Sequence, residues 1–110
     1  MTRNLFICGK ARMRSPTAAQ IVGEIAGVET DVAGLSKDAD ERRSREQLHW
    51  AVLVVVMEKR QLARLNAVHR AALKGKRVIN LDIPDRYSFM QPELVARIRQ
   101  HLPRLGLSGA

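Results

Sequence analysis

The 110-residue chain contains one cysteine, Cys8, and only four aromatic residues: one Trp, one Tyr and two Phe. A single thiol excludes an intrachain disulfide, a CxxC redox pair and any zinc site that needs two thiolates. With so few aromatic rings, base stacking has little to work with, which counts against single-stranded nucleic acid as the partner. Long apolar runs are also missing. The longest, Trp50 to Met57, has eight residues, against roughly twenty needed to cross a bilayer as a helix. The amino-terminal stretch MTRNLFICGKAR has no signal-peptide core, so the expectation is a cytoplasmic protein with a reduced thiol and no membrane partner. Acid is scarce as well: 11 Asp+Glu stand against 19 Lys+Arg, a net charge of +8. No acidic residue precedes Glu24, while Arg3, Lys10, Arg12 and Arg14 put four positive charges in that stretch. Such an imbalance calls for an anionic partner or substrate.

What remains is the composition of one folded domain, expected to span residues 1–110, with 45% hydrophobic and 27% charged residues. At this size folding buries roughly two-thirds of the surface of the unfolded chain, enough for a core without covalent staples. Two kinds of apolar segment alternate. Leu5-Phe6-Ile7, Val52 to Val56, and Val78-Ile79 with Leu81 are short, continuous and rich in β-branched residues, as parallel strands buried on both faces are. A weaker strand is expected around Val28 to Ala33.

Between them lie stretches of helical spacing. Ser15 and Pro16 open one, with Ser15 as cap, Ala18, Ile21, Val22 and Ile25 on one face, and Gly27 at its end. A second runs from Glu58 to Leu73 with a stripe of Leu62, Leu65, Val68 and Ala72, stopped by Gly75. A third opens at Pro92 with Leu94, Val95, Ile98 and Leu102 inward and is limited by Pro103. A shorter helix is expected over Arg43 to Trp50, after a polar, mobile loop from Gly34 to Arg45. The alternation predicts an α/β fold: a single three-layer domain with a four-stranded parallel sheet and helices on both faces. Ligands of such sheets bind at the carboxyl ends of the strands, where the strand order reverses. That edge collects Cys8, Met57 and Asp82.

The stretch Cys8-Gly9-Lys10-Ala11-Arg12-Met13-Arg14-Ser15-Pro16 carries the chemistry. A loop from a strand to a helix amino terminus turns several backbone N–H groups into one concavity, and the helix dipole adds partial positive charge. The same field favours a thiolate at Cys8. Arg14 can grip two phosphoryl oxygens in a bidentate fork, and Ser15 can donate to the sulfur. A cysteine at a strand end is by itself as readily an inert core thiol. The ordered set of strand, cysteine, five residues, arginine, Ser-Pro and helix is what raises it above that reading.

This arrangement resembles the low-molecular-weight protein tyrosine phosphatase family, and in particular a compact bacterial branch of it. The resemblance covers nearly the whole chain: the Cys8 to Ser15 loop, Ser15-Pro16-Thr17-Ala18, the junction VVVMEKR at Val54 to Arg60, and LDIPDRYSFMQPEL at Leu81 to Leu94. It implies a sheet of order 2-1-3-4 and a phosphomonoester hydrolase acting through a phosphocysteine. Cys8 would be the nucleophile and Arg14 the phosphoryl clamp. Gly9, Lys10, Ala11, Arg12, Met13, Arg14 and Ser15 would form the phosphate-binding loop. The family's general acid is an aspartate after the last strand, for which Asp85 in Ile83-Pro84-Asp85-Arg86-Tyr87 is the first choice and Asp82 the second. Tyr87 would either stack on a substrate ring or pack. No metal and no organic cofactor is implied. The partners would be a phosphorylated protein, a small aryl phosphate, or inorganic phosphate and other oxyanions.

Two positions depart from the family pattern. Ala11 stands where an asparagine supports a left-handed loop residue, and Arg86 stands where a proline usually follows the acid. They keep a second function open, a non-catalytic module that binds phosphate or phosphoproteins on the same fold. Related arsenate reductases need further cysteines, which the chain lacks.

A second basic run, Glu58 to Arg77, has seven positive residues and one negative. It reads as a solvated helix face, or as a phosphate-backbone stripe for nucleic acid, the third and least favoured function. Trp50 belongs to the core or to a pocket wall. His49, His69 and His101 lack metal-ligand spacing and read as surface or satisfied side chains. Met13, Met57 and Met90 read as gap-fillers in the core or at the pocket rim.

Overall fold

The computed structural model describes residues 2–8, 14–34, 41–84 and 86–106, with side chains throughout except at positions 8 and 41–44. Strands β1 (Thr2–Cys8), β2 (Val28–Gly34), β3 (Leu53–Val56) and β4 (Arg77–Asn80) alternate with helices α1 (Arg14–Gly23), α2 (Glu41–Trp50), α3 (Lys59–Leu73) and α4 (Pro92–Gln100). A short 3₁₀ turn, Leu102–Leu105, follows α4. All strand pairs are parallel. Their order is β2-β1-β3-β4, as expected. The register places Cys8 beside Gly34, Ile7 beside Val56, and Val56 beside Asn80. The chain therefore brings the ends of β1, β3 and β4 to one edge of the sheet, with the order reversing between β1 and β3.

Both faces of the sheet are covered, which is why the strands read as continuous apolar runs rather than alternating ones. Phe6, Leu53 and Val55 pack with Ala18, Ile21 and Val22 of α1 and Leu94 and Ile98 of α4. On the opposite face Leu5, Ile7, Val54 and Val56 pack with Leu48 of α2 and Leu65 and Leu73 of α3. Successive strand residues point to opposite sides, so each strand feeds both cores.

Several boundaries and faces differ from those expected. Helix α1 begins at Arg14, which places Ser15 inside the first turn rather than at the cap. It ends at Gly23, and Gly27 (φ 82°) instead makes the left-handed turn into β2. Val52 lies outside β3 and is exposed. Helix α2 starts at Glu41, so the last residues assigned to the long polar loop are helical. They are charged, straight-chain helix formers without an apolar stripe to announce them. On α3 the buried positions are Gln61, Leu65, His69 and Leu73, whereas Val68 is exposed. Gly75 (φ 80°) does end that helix, taking the left-handed conformation that a residue with a Cβ resists.

Candidate active site

Arg14, the first residue of α1, is 97% buried, with 3% of its surface exposed. A buried guanidinium needs partners on several sides. Its Nη1 donates to Glu58 Oε1 at 2.6 Å and to the Ile83 carbonyl at 2.7 Å. Glu58 directly precedes α3, and Ile83 follows β4, so three segments meet at this one side chain. Each is fixed by the sheet. Leu81 N donates to Val56 O at 3.0 Å and Ile83 N to Met57 O at 2.9 Å, extending the β3–β4 ladder beyond its regular end. Buried Gln61 accepts from Met57 N at 2.8 Å and Glu58 N at 3.1 Å, holding the turn into α3. The second Glu58 oxygen, Oε2, accepts from Arg60 Nη2 at 3.0 Å. One carboxylate thus joins a buried arginine to an exposed one.

Cys8 ends β1 at the same edge, and its thiol lies outside the described residues, as do Gly9, Lys10, Ala11, Arg12 and Met13. Ser15 is fully buried, and its Oγ has no hydrogen-bond partner among the described residues. Asp85 also lies outside them, between Pro84 and Arg86. Asp82, the second choice of acid, is exposed in a left-handed conformation (φ 52°) that aspartate accepts more readily than most residues. Its Oδ1 accepts from Asn80 Nδ2 at 2.9 Å and its N–H donates to Asn80 Oδ1 at 3.0 Å, so the carboxylate is engaged with its neighbour in a closed turn.

The loop from Ile83 to Gln91 is tied across the site to α1 by a 2.9 Å bond from Met90 N to Thr17 Oγ1. Tyr87 is half-buried against the first core, with the Arg86 guanidinium 5.5 Å from its ring centre. Arg86 and Arg97 donate to the Tyr87 oxygen at 3.4 Å each. The hydrogen bond from Arg86 is the largest influence on this phenol and lowers its pKa from the usual 10.0; burial opposes it and Arg97 reinforces it. Trp50 sits elsewhere. It ends α2 beside Ala51 and Val52, at the amino-terminal edge of the sheet, and lines a separate pocket with Asp31, Glu46 and Gln47.

The structure places Arg14 near the expected edge of the sheet, together with Glu58, Gln61, Thr17 and the Ile83 carbonyl, none of which was expected at a site. Glu58 had a signal: it is the single acid in a run of seven cations, placed directly after the strongest strand.

The parallel sheet of order 2-1-3-4 with helices on both faces defines a three-layer α/β domain, and the fold is shared with low-molecular-weight phosphatases of known structure. Solved structures give that fold its particulars. The chain superposes on the YwlE arginine phosphatase from Geobacillus stearothermophilus with a TM-score of 0.72 at 20% identity, covering 96% of this chain and 94% of that one. SP-PTP, the low-molecular-weight protein tyrosine phosphatase of Streptococcus pyogenes, gives 0.70 at 12% identity over 96% and 93% of the chains. Wzb of Vibrio vulnificus, solved in complex with benzylphosphonate, gives 0.66 at 17% identity over 88% and 89%. No protein-family model and no curated protein matches the sequence.

Proposed function

We propose that the protein is a phosphomonoester hydrolase of the tyrosine phosphatase type, working through a phosphocysteine at Cys8. The observation that carries this reading is the buried Arg14, held by Glu58 and the Ile83 carbonyl at the edge where β1 ends in Cys8. Both bonds come from Nη1 and set the plane of the guanidinium, and a fork held in a set plane is what bidentate recognition of phosphoryl oxygens requires.

In the first step the Cys8 thiolate attacks phosphorus in line, an S–P bond forms and the bond from phosphorus to the leaving oxygen breaks. Arg14 and the amides of the Gly9 to Ser15 loop hold the equatorial oxygens as their charge grows. Asp85 gives its proton to the leaving oxygen. The bond between Arg14 and the Ile83 carbonyl, two residues before Asp85, supports that assignment. In the second step Asp85 takes a proton from water, the resulting oxygen nucleophile attacks phosphorus, and the S–P bond breaks to release inorganic phosphate and the thiolate. The unmatched Ser15 hydroxyl is suited to donate to that sulfur. Tyr87 would present a ring face to an aryl substrate when the Arg86 guanidinium, which lies over that ring, is displaced.

Purified protein should hydrolyse p-nitrophenyl phosphate, and Cys8→Ser should reduce turnover to background. Because a structural neighbour is an arginine phosphatase, phosphoarginine is the competing substrate, and the aryl ester should show the higher kcat/KM. Unchanged turnover in Cys8→Ser, or none in the parent protein, ends the enzyme reading. The non-catalytic alternative, motivated by Ala11 and Arg86, would be selected by protection from unfolding by phosphate without any turnover.

A further inference from the structure

The outer face of α3 is built almost entirely from cations and alanine. Lys59, Arg60, Arg64, Arg70 and Lys74 are all exposed, and exposed Ala63, Ala67 and Ala71 lie between them at intervals of four. This face lies opposite the buried positions Gln61, Leu65, His69 and Leu73. The helix itself contains no acidic residue. Arg60 and Arg64, and Arg70 and Lys74, are like charges at i,i+4, each pair unfavourable by a few tenths of a kcal/mol. Lys59 and Arg60 also occupy the first turn, where the helix dipole repels cations. The two cations that follow are used differently: Lys76 donates to the His49 and Ala51 carbonyls, and Arg77 to the Arg104 carbonyl. Arg70 and Lys74 lie at the other end of α3, where the dipole favours cations, so the unfavourable crowding is concentrated at Lys59, Arg60 and Arg64, where an anionic occupant would offset it.

The face is continuous with the candidate active site. Arg60 shares the Glu58 carboxylate with Arg14, yet is 81% exposed. Exposed ion pairs of this kind contribute about 1 kcal/mol or less, so Arg60 gives up Glu58 readily for an incoming anion. From there α3 runs for 15 residues with a kink at His69, a path of at most about 22 Å at 1.5 Å per residue. An extended peptide of about seven residues covers that length. Exposed large apolar side chains, which would enter a membrane, are limited on this helix to Val68. The face carries no aromatic side chain on which nucleic-acid bases would stack. A track that starts at a phosphoryl site and offers spaced guanidinium forks fits a polypeptide rich in Asp and Glu.

We propose that the exposed face of α3 docks an acidic segment, about seven residues long, of the phosphoprotein substrate, adjoining its phosphorylated residue. The proposal rests on the phosphatase reading and names its substrate class: phosphoproteins whose modified residue neighbours a carboxylate-rich stretch.

The test compares two phosphotyrosyl peptides, one with seven flanking Glu and Asp residues and one with Gln and Asn in their place. The parent protein should show a kcat/KM about tenfold higher for the acidic peptide at low salt, falling towards parity at about 0.3 M NaCl. The triple variant R64Q/R70Q/K74Q should treat both peptides alike and hydrolyse p-nitrophenyl phosphate as the parent does. Equal kcat/KM for the two peptides in the parent protein overturns the proposal. If no phosphate ester is hydrolysed, the phosphatase reading fails, and fluorescence anisotropy with a labelled acidic heptapeptide decides the track alone. Binding that the triple variant loses supports it, and absence of binding overturns it. Tighter binding of a duplex DNA, or of phosphatidylserine vesicles, than of the acidic peptide at the same salt also overturns it.

Discussion

Glu58 is the residue on which the site's geometry turns. It is the common acceptor for buried Arg14 and exposed Arg60, and its backbone N–H is held by Gln61. Replacing it with glutamine keeps the size but leaves the Arg14 guanidinium beside a neutral oxygen. The expected loss of stability in Glu58→Gln is about 1–3 kcal/mol, the range for a hydrogen bond to a charged group. If Arg14 is the phosphoryl clamp as proposed, its direction would also be less fixed and kcat/KM should fall roughly tenfold to a hundredfold. Urea unfolding and aryl phosphate kinetics check the two effects. Arg60→Gln alone should change aryl phosphate hydrolysis far less, since its ion pair with Glu58 is exposed. Arg14 was legible in the sequence because it stands only six positions after Cys8. Its partners Glu58 and Ile83 are 44 and 69 positions away. Only the strand order, which places β3 next to β1 and β4 next to β3, brings them together.

At the scale of elements, the short apolar runs foretold β1, β3 and β4, and a weaker signal over Val28 to Ala33 foretold β2, an edge strand buried only at Ala33. Helix faces were harder to read. Of the α3 stripe, Leu65 is buried and Leu62 and Ala72 pack half-buried against the core, but Val68 is exposed, because Gln61 and His69 occupy two of the four buried positions. Gln61 is buried to hold the strand-to-helix turn, a task that hydropathy does not register. The junction of α4 with the 3₁₀ turn carries a similar polar residue. His101 has a pKa below the usual 6.5, first through desolvation, then through Arg104 and Arg97, with Asp82 partly opposing. The folded state therefore binds fewer protons at this site than the unfolded chain. Its contribution to stability is fully present above about pH 6.5 and is lost as pH falls towards the lower folded-state value. The urea midpoint should fall between about pH 7.5 and pH 5.5, and His101→Gln should show a smaller fall. An identical pH profile in that variant would remove His101 as a source of the acid sensitivity.

For the molecule as a whole, the surplus of eight positive charges has two separable consequences. Self-repulsion destabilises the compact state and is relieved by any salt, as counterions screen it over about 10 Å at 0.1 M. An oxyanion seated on Arg14 stabilises by occupancy instead, in the form RT ln(1 + [L]/Kd), which is about 1.4 kcal/mol at ten times Kd. Unfolding measured in chloride and in millimolar phosphate at matched ionic strength separates the two. Chloride should raise the stability of the parent protein and of Arg14→Lys alike, because the substitution leaves net charge unchanged. Phosphate should add a further, saturable increment in the parent protein only, since lysine cannot reproduce the bidentate fork. The R64Q/R70Q/K74Q variant should keep the phosphate increment while its chloride response shrinks, because the α3 cations contribute to repulsion and not to the clamp. A phosphate increment that persists in Arg14→Lys and disappears with the α3 cations would move the anion site from the edge of the sheet to the flank of the molecule. Cys8 would then be left without the electrostatic setting that a thiolate nucleophile requires.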